Sequence, residues 1–156
     1  MAVSVYSYTI YHSPNAYLGT VLLRRALAEL RWAISPFERE ELPARAFYAA
    51  DPTTRDLLDQ ALFEAAWVEG LDVNEPATVV WAAGRAGLDP EVLMMELAGP
   101  GPAEGVRTAL AEFERLQCPG VPTVVVDGQR FFGKDRVDWI VDICRAGAEH
   151  RVIEPS

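Results

Sequence analysis

Ser13 lies between a strand-like segment and a helix-like segment, and it is the residue best placed to do chemistry. It is followed by Pro14, and a serine before a proline is typical of a helix N-terminus. Free N–H groups there carry about half a positive charge, and a hydroxyl that donates to a thiolate adds about 1.5–3 kcal/mol. The junction is therefore suited to stabilising the thiolate of a bound molecule, with a helix cap alone as the alternative interpretation.

The segment Gly120-Val121-Pro122-Thr123, directly before a predicted strand, is the second place suited to binding. A cis bond between Val121 and Pro122 would turn the Val121 N–H and C=O outward, where they can pair with an extended, peptide-like ligand. The alternative is a proline at the start of a strand with no role in binding.

Other reaction classes have less support in the residues. Cys118 and Cys144 lie in different predicted elements, so they form neither a CxxC pair nor a zinc knuckle, and we interpret them as buried or incidental thiols. His12 and His150 lie at opposite ends of the chain, and we predict no metal site. No GxSxG motif surrounds Ser13, and the adjacent His12 would point away from it, which disfavours a serine hydrolase.

Composition limits the class of protein. The 156 residues are 50% hydrophobic, which suits one globular domain over residues 1–156. A net charge of -9, spread along the chain, argues against binding to nucleic acid or anionic membranes. The sequence shows no secretory signal and no apolar run near the ~20 residues of a membrane span, so we expect a cytoplasmic protein.

The N-terminal segment must hold Ser13 in place. Residues 3–11 are rich in β-branched and aromatic side chains and predict a strand, followed by a helix from Ser13 to about Leu30. Residues 31–35 form a weak candidate for a second strand, and Glu38 to Glu41 is interpreted as loop.

The middle of the chain is predicted to be helical. Three helices should begin at repeated pairs of a capping acid and a proline, and Gly70 and Gly87 should end the first two; the pairs are Asp51-Pro52, Glu75-Pro76 and Asp89-Pro90. A fourth helix follows the cluster at residues 99–102.

The C-terminal part predicts a hairpin and a helix. Strands at 123–126 and 130–132 flank Asp127-Gly128, which is typical of a type I′ turn, and a helix follows from about Asp135 to Ala146. The whole order predicts a thioredoxin-like α/β fold with a core of residues 1–37 and 118–147 and an all-helical insertion at 43–117. The insertion separates the first βαβ unit from the C-terminal ββα unit.

In that fold the two candidate loops meet, and the first normally carries CxxC. The four corresponding residues here are Ser13, Pro14, Asn15 and Ala16, so both thiols are absent and disulfide exchange at this site is excluded.

Several motifs occur together in chain order: Ser13-Pro14-x-x-Tyr17-Leu18, Leu62-Phe63-x-x-x-Trp67-x-Glu69-Gly70-x-Asp72, Ala86-Gly87-Leu88-Asp89, and Gly120-Val121-Pro122-Thr123 followed by Val126-Asp127-Gly128, Phe131-Phe132-Gly133 and Asp135-Arg136. With these residues the chain resembles the 2-hydroxychromene-2-carboxylate isomerases and kappa-class glutathione transferases of the DsbA-like thioredoxin superfamily. The resemblance covers most of the chain, from Val3 to about Cys144.

The resemblance implies glutathione as cofactor and a role for each matching residue. Ser13 would hydrogen-bond the glutathione sulfur, Val121 would pair through its backbone with the cysteinyl part, and Asp135 would receive the γ-glutamyl ammonium. The set of glutathione-binding candidates is completed by Pro122 and Lys134. The substrate, an aromatic or unsaturated electrophile, is assigned to Asn15, Tyr17 and Trp32, and a homodimer is the assembly considered.

Three functions follow as hypotheses. The leading one is a glutathione-dependent isomerase or transferase. The chain is shorter than the resemblance leads us to expect between Trp32 and Leu42, so a non-catalytic binding or assembly module with a groove uncovered near Trp32 and Phe37 is the second. A DsbA-like thiol redox protein that uses Cys118, four residues before Pro122, is the third.

Overall fold

The computed structural model describes residues 4–28, 33–37 and 42–149. The strands are β1 Val5–Thr9, β2 Ala33–Pro36, β3 Thr123–Val126 and β4 Gln129–Phe132. The helices are α1 Pro14–Ala26, α2 Leu42–Ala49, α3 Arg55–Trp67, α4 Pro76–Arg85, α5 Pro90–Leu97, α6 Gly101–Arg115 and α7 Val137–Glu149, with a 3₁₀ turn at Lys134–Arg136 before α7.

The four strands form one mixed sheet in the order β2-β1-β3-β4. β1 pairs in parallel with β2 and antiparallel with β3, and β3 pairs antiparallel with β4. This arrangement confirms the predicted thioredoxin-like α/β fold. It puts the end of β1, from which the chain continues to Ser13, on a central strand of the sheet.

The two faces of the sheet have separate cores because side chains alternate along a strand. On one face, buried apolar side chains of β1 and β3 pack against α1 and α7; this group includes Val5, Leu23, Leu27, Val124, Val126, Ile140 and Cys144. On the other face, Tyr8, Phe37 and Val125 pack against Ala109 and Phe113 of α6. Helix α1 therefore has the sheet beneath it along its apolar side.

Helices α2 to α5, together with part of α6, enclose a third core. Its buried members include Leu58, Leu62, Phe63, Val79, Leu93, Leu97 and Val106. Tyr11, which lies in the loop between β1 and α1, belongs to the same core and is 0% exposed. The helical insertion therefore reaches the segment that carries Ser13.

The predicted turns and helix ends agree with the backbone at the glycines. Gly70 and Gly87 have φ angles of 68° and 75°, which are suited to helix C-termini. Asp127 and Gly128 have φ angles of 46° and 84°, as the type I′ hairpin requires. Among residues 4–28, 33–37 and 42–149, no helix has the length and apolar character needed to cross a membrane.

Helices α1, α2 and α3 differ from the predicted ones. Helix α1 ends at Ala26 rather than near Leu30, and α2 was absent from the predicted elements. Helix α3 begins at Arg55 rather than Pro52, because the Asp51 carboxylate accepts from the N–H and hydroxyl of Thr53 and forms a separate turn. The predicted loop at 38–41 lies outside the described residues.

A groove uncovered near Trp32 and Phe37 is expected from the sequence, and this expectation is wrong at Phe37. Phe37 is only 9% exposed, and its ring centroid lies 4.3 Å from that of Phe113 in α6. Helix α6 covers this part of the sheet, so the motivation for a non-catalytic module is lost there. Trp32 lies outside the described residues.

Candidate functional site

Ser13 caps α1, as the sequence predicts. Its backbone is extended, with φ -97° and ψ 116°, and its Oγ accepts a hydrogen bond from the Ala16 N–H at 3.1 Å. A serine hydroxyl that accepts through a lone pair still has its own hydrogen to donate. The cap and the donation to a bound sulfur are therefore compatible functions of the half-buried Ser13.

The Val121–Pro122 peptide bond is cis, as predicted. Hydrogen bonds fix the residues on either side of Val121. The Pro122 C=O accepts from the Gly133 N–H at 2.9 Å, and the Gly120 C=O accepts from the Thr123 hydroxyl at 2.5 Å. Within the described part of the chain, neither the N–H nor the C=O of Val121 has a hydrogen-bond partner. These two groups are available to a ligand with an extended backbone.

Gly19 brings α1 into contact with the cis-proline loop. A Cβ at this position would lie 2.9 Å from Cγ of Pro122 and 3.6 Å from Cβ of Lys134. Because glycine has no side chain, α1 can approach both residues closely. The structure thus brings together α1, the cis-proline loop and the 3₁₀ turn, three of the segments selected from the sequence.

The predicted γ-glutamyl site lies on the 3₁₀ turn. Gly133, with φ 97°, directs the chain into this turn, and Lys134 Nζ lies 3.2 Å from Oδ1 of Asp135. The Asp135 side chain is 76% exposed and that of Lys134 is 40% exposed. Both charges are accessible to solvent, and each is partly neutralised by the other.

Of the three residues assigned to the substrate, Tyr17 has defined contacts. Its ring stacks on Trp67 with a centroid distance of 6.5 Å and an interplanar angle of 12°, and it lies 5.9 Å from Phe63. Tyr17 also lines a cavity of about 380 Å³ between α1 and α3. Asn15 is exposed, and Trp32 lies outside the described residues.

A buried ionic network lies behind the Ser13 loop, and it was not predicted from the sequence. Asp59 of α3 is fully buried; its Oδ1 accepts from the Tyr11 hydroxyl at 2.8 Å, and its Oδ2 accepts from Arg24 Nη2 at 2.7 Å. Arg24 also pairs with the exposed Asp56. The sequence signal was an acid on the buried face of α3, directly after Leu58 and three residues before Leu62.

Burial raises the pKa of Asp59 to about 6, and the nearby Arg24 guanidinium and Tyr11 hydroxyl limit the rise. At pH 7 the carboxyl is therefore largely ionised and paired with Arg24. Near pH 5 it is largely protonated.

The two cysteines lie in different cores: Cys144 is on the buried face of α7, and the half-buried Cys118 lies beside α6. Burial raises the pKa of both thiols, and Arg130 only partly offsets this at Cys118. A reactive cysteine has a lowered pKa, so Cys118 lacks the activation that the redox hypothesis requires. Among the residues that the structure describes, no group of His, Cys, Asp or Glu is arranged to hold a metal ion.

The family profile of the DSBA-like thioredoxin domain matches residues 13–144, from the candidate serine to the last turns of α7. The chain belongs to the DsbA-like thioredoxin family. None of the curated protein sequences matches it significantly.

Solved structures share the fold of this DsbA-like domain at low sequence identity. A probable DsbA oxidoreductase from Streptomyces coelicolor superposes with a TM-score of 0.81 and 17% identity, covering 99% of this chain and 92% of that one. A 2-hydroxychromene-2-carboxylate isomerase superposes with a TM-score of 0.76 and 15% identity, covering 94% and 98%. The oxidoreductase DsbA from Xylella fastidiosa gives a TM-score of 0.73 and 22% identity, covering 93% and 87%.

The DsbA-like fold is thus shared by oxidoreductases and an isomerase. This DsbA-like chain has Ser13 and Ala16, rather than two cysteines, at the start of α1. The site residues, and not the fold, must therefore decide between the two kinds of chemistry.

Proposed function

We propose that this DsbA-like protein is a glutathione-dependent isomerase or transferase in which Ser13 stabilises the glutathione thiolate. The observation that carries the proposal is the geometry of Ser13. Its Oγ accepts from Ala16 at the N-terminus of α1 and keeps its own hydrogen to donate to a sulfur. A charge-assisted bond of about 1.5–3 kcal/mol would lower the pKa of the bound thiol by roughly one to two units.

The rest of the site supports a tripeptide as the ligand. The unpaired N–H and C=O of Val121, next to Pro122, are suited to pair with the backbone of the cysteinyl residue. Asp135 would receive the γ-glutamyl ammonium, and Lys134, which now pairs with Asp135, would pair with a carboxylate of the same ligand.

The chemistry would be addition of the thiolate to an electrophilic carbon of an aromatic or unsaturated substrate. The sulfur lone pair forms the C–S bond, and the π electrons of the attacked double bond move onto a conjugated oxygen. In an isomerase the bond that has become single rotates, and the electrons return and expel the thiolate. In a transferase the C–S bond is kept, and the α-carbon of the resulting enolate takes a proton from water.

The test is isothermal titration with millimolar glutathione, together with the ultraviolet absorbance of the thiolate as a function of pH. Ser13→Ala should raise the pKa of the bound thiol by about one unit or more, and so should Ser13→Gly, in which the helix start is nearly preserved. The absence of glutathione binding to the wild-type protein, or the same affinity and the same bound-thiol pKa in the wild type and Ser13→Ala, would refute the proposal.

A second measurement tests the glutathione site away from the sulfur. Asp135→Asn should weaken glutathione binding by about tenfold, a loss of about 1.4 kcal/mol. The matched control is Asp138→Asn, which removes another exposed acid three residues later, in the first turn of α7. Equal affinities for both variants would remove Asp135 from the site.

A further inference from the structure

Asp59 forms hydrogen bonds with the chain on both sides of Ser13, although it belongs to the helical insertion. Through Oδ1 it accepts from Tyr11, two residues before Ser13, and through Oδ2 from Arg24, in the last turns of α1. A single carboxylate therefore fixes the approach to α1 and the far part of α1 relative to α3.

Tyr11 has little freedom to move independently of this carboxylate. It is 0% exposed, its ring packs 4.8 Å from that of Phe63, and its C=O accepts from the Trp67 indole N–H at 2.9 Å. From Tyr11 the chain needs only two residues to reach Ser13, whose N–H donates to the Ile10 C=O at 3.4 Å. The position of Ser13 therefore follows from where α3 holds Tyr11.

A purely stabilising role does not account well for this arrangement. Replacing buried ion pairs by apolar residues is often neutral or stabilising, because the desolvation penalty offsets the attraction between the charges. What an ion pair adds is direction, since each oxygen of Asp59 binds one donor along one line. Within residues 4–28, 33–37 and 42–149, the charged and titratable groups that interact with Asp59 include Arg24 of α1, Asp56 of its own helix, Tyr11, and Tyr48 of α2.

We propose that Asp59 is a positioning residue for Ser13: through Tyr11 and Arg24 it sets the orientation of the α1 N-terminus and of the Ser13 hydroxyl. The catalytic use of that orientation rests on the proposed function, but the positioning itself does not. Asp59 makes no contact with the bound molecule in this proposal and acts only through α1 and its preceding loop.

The first test is amide hydrogen exchange, which needs no ligand. In Asp59→Asn the single amide oxygen can accept from Tyr11 or from Arg24 but not from both, and the negative charge that pairs with Arg24 is lost. Exchange of the Ala16 N–H, which donates to Ser13 Oγ, should become about tenfold faster, while the Leu93 N–H of α5 keeps its wild-type rate. Asp56→Asn, which removes a carboxylate that pairs with Arg24 at the surface, should leave both rates unchanged.

If Ala16 and Leu93 accelerate together, or if neither changes, Asp59 has only a general structural role and the proposal is overturned. Tyr11→Phe is the second variant in case Asp59→Asn does not fold. It keeps the Asp59–Arg24 pair, removes only the hydroxyl donor, and should also accelerate Ala16 selectively.

The second test uses bound glutathione. Asp59→Asn should raise the pKa of the bound thiol in the same direction as Ser13→Ala, whereas Asp56→Asn should not. A pKa raised by Ser13→Ala and unchanged by Asp59→Asn overturns the positioning role. If wild-type protein and Ser13→Ala bind glutathione with the same thiol pKa, the proposed function has failed, and exchange at Ala16 still decides whether Asp59 positions Ser13.

Discussion

The two sides of α1 contact the rest of the protein through different chemistry. Toward the cis-proline loop, the absence of a side chain at Gly19 lets Pro122 pack directly against the helix. Toward the insertion, Arg24 and the preceding Tyr11 form directional bonds with the buried Asp59. The first contact depends on shape and is independent of pH, whereas the second depends on charge and on the protonation of one carboxyl.

This difference indicates a division of roles around Ser13. The packed side, where Gly19 contacts Pro122, fixes the distance between α1 and the loop that offers the Val121 backbone. The ionic side, where Asp59 binds Tyr11 and Arg24, fixes the orientation of the helix. Breaking each side separately should therefore have different consequences for stability, for its pH dependence and for binding.

The largest effect is expected on the ionic side, from Arg24→Met. At pH 7 this substitution leaves the buried Asp59 carboxylate without its closest cation, and we expect a loss of about 3 kcal/mol in the free energy of unfolding. Arg25→Met is the matched control, since Arg25 is the exposed neighbour in the same helix, and its effect should stay within about 0.5 kcal/mol. Urea unfolding of the wild-type protein and of both variants measures these losses.

The stability cost of Arg24→Met should depend on pH, because the protonation of Asp59 does. Because the folded-state pKa of Asp59 is raised above that of an unfolded aspartate, the folded protein binds more protons between about pH 4 and pH 6, and this carboxyl makes stability fall as pH rises through that window. At pH 5 Asp59 is largely neutral, so Arg24→Met should cost less there than at pH 7. A cost that is the same at both pH values would contradict the ionised pair.

On the packed side, Gly19→Val should cost about 2 kcal/mol. The new side chain would meet Pro122, whose Cγ lies only 2.9 Å from the position that a Cβ on residue 19 would occupy, so α1 and the loop must separate. The loss should be independent of pH, and glutathione binding should weaken because Val121 moves relative to Ser13. Gly84→Ala in α4, where a Cβ meets nothing within 4 Å, is the control and should be neutral or stabilising. A pH-dependent loss for Gly19→Val would show that the two sides are not separate.

A smaller effect is expected from Tyr11→Phe, which leaves one oxygen of the Asp59 carboxylate without its donor. The expected loss at pH 7 is about 1–2 kcal/mol. In a double-mutant cycle with Arg24→Met the two losses should not add, because both residues bind the same carboxylate. Additive losses would show that Tyr11 and Arg24 contribute independently.

The sequence predicted the packed side of this comparison better than the ionic side. Ser13 with Pro14, and Val121 with Pro122, are local signals, because capping and proline geometry are properties of adjacent residues. The thioredoxin-like order of elements was then enough to bring these two loops together.

The Asp59 network could not be predicted in the same way. Its three members come from a loop, α1 and α3, and only the fold of the insertion brings them into contact. An acid on the apolar face of a helix indicates that a partner exists, but it does not say which cation or hydroxyl supplies it. Similarly, the burial of Phe37 depends on α6, whose position relative to β2 has no local signal.

The smallest expected effect on stability is at Ser13 itself, where the cap contributes about 1 kcal/mol and Ser13→Ala should lose that amount. Ser13→Gly should lose only a few tenths of a kcal/mol, because glycine is tolerated at this position. If Ser13 served only as a cap, the change in bound thiol pKa would follow the same order as the change in stability. If its hydroxyl donates to the sulfur, both variants should raise the thiol pKa equally although their melting temperatures differ, and thermal denaturation combined with thiolate absorbance separates the two cases.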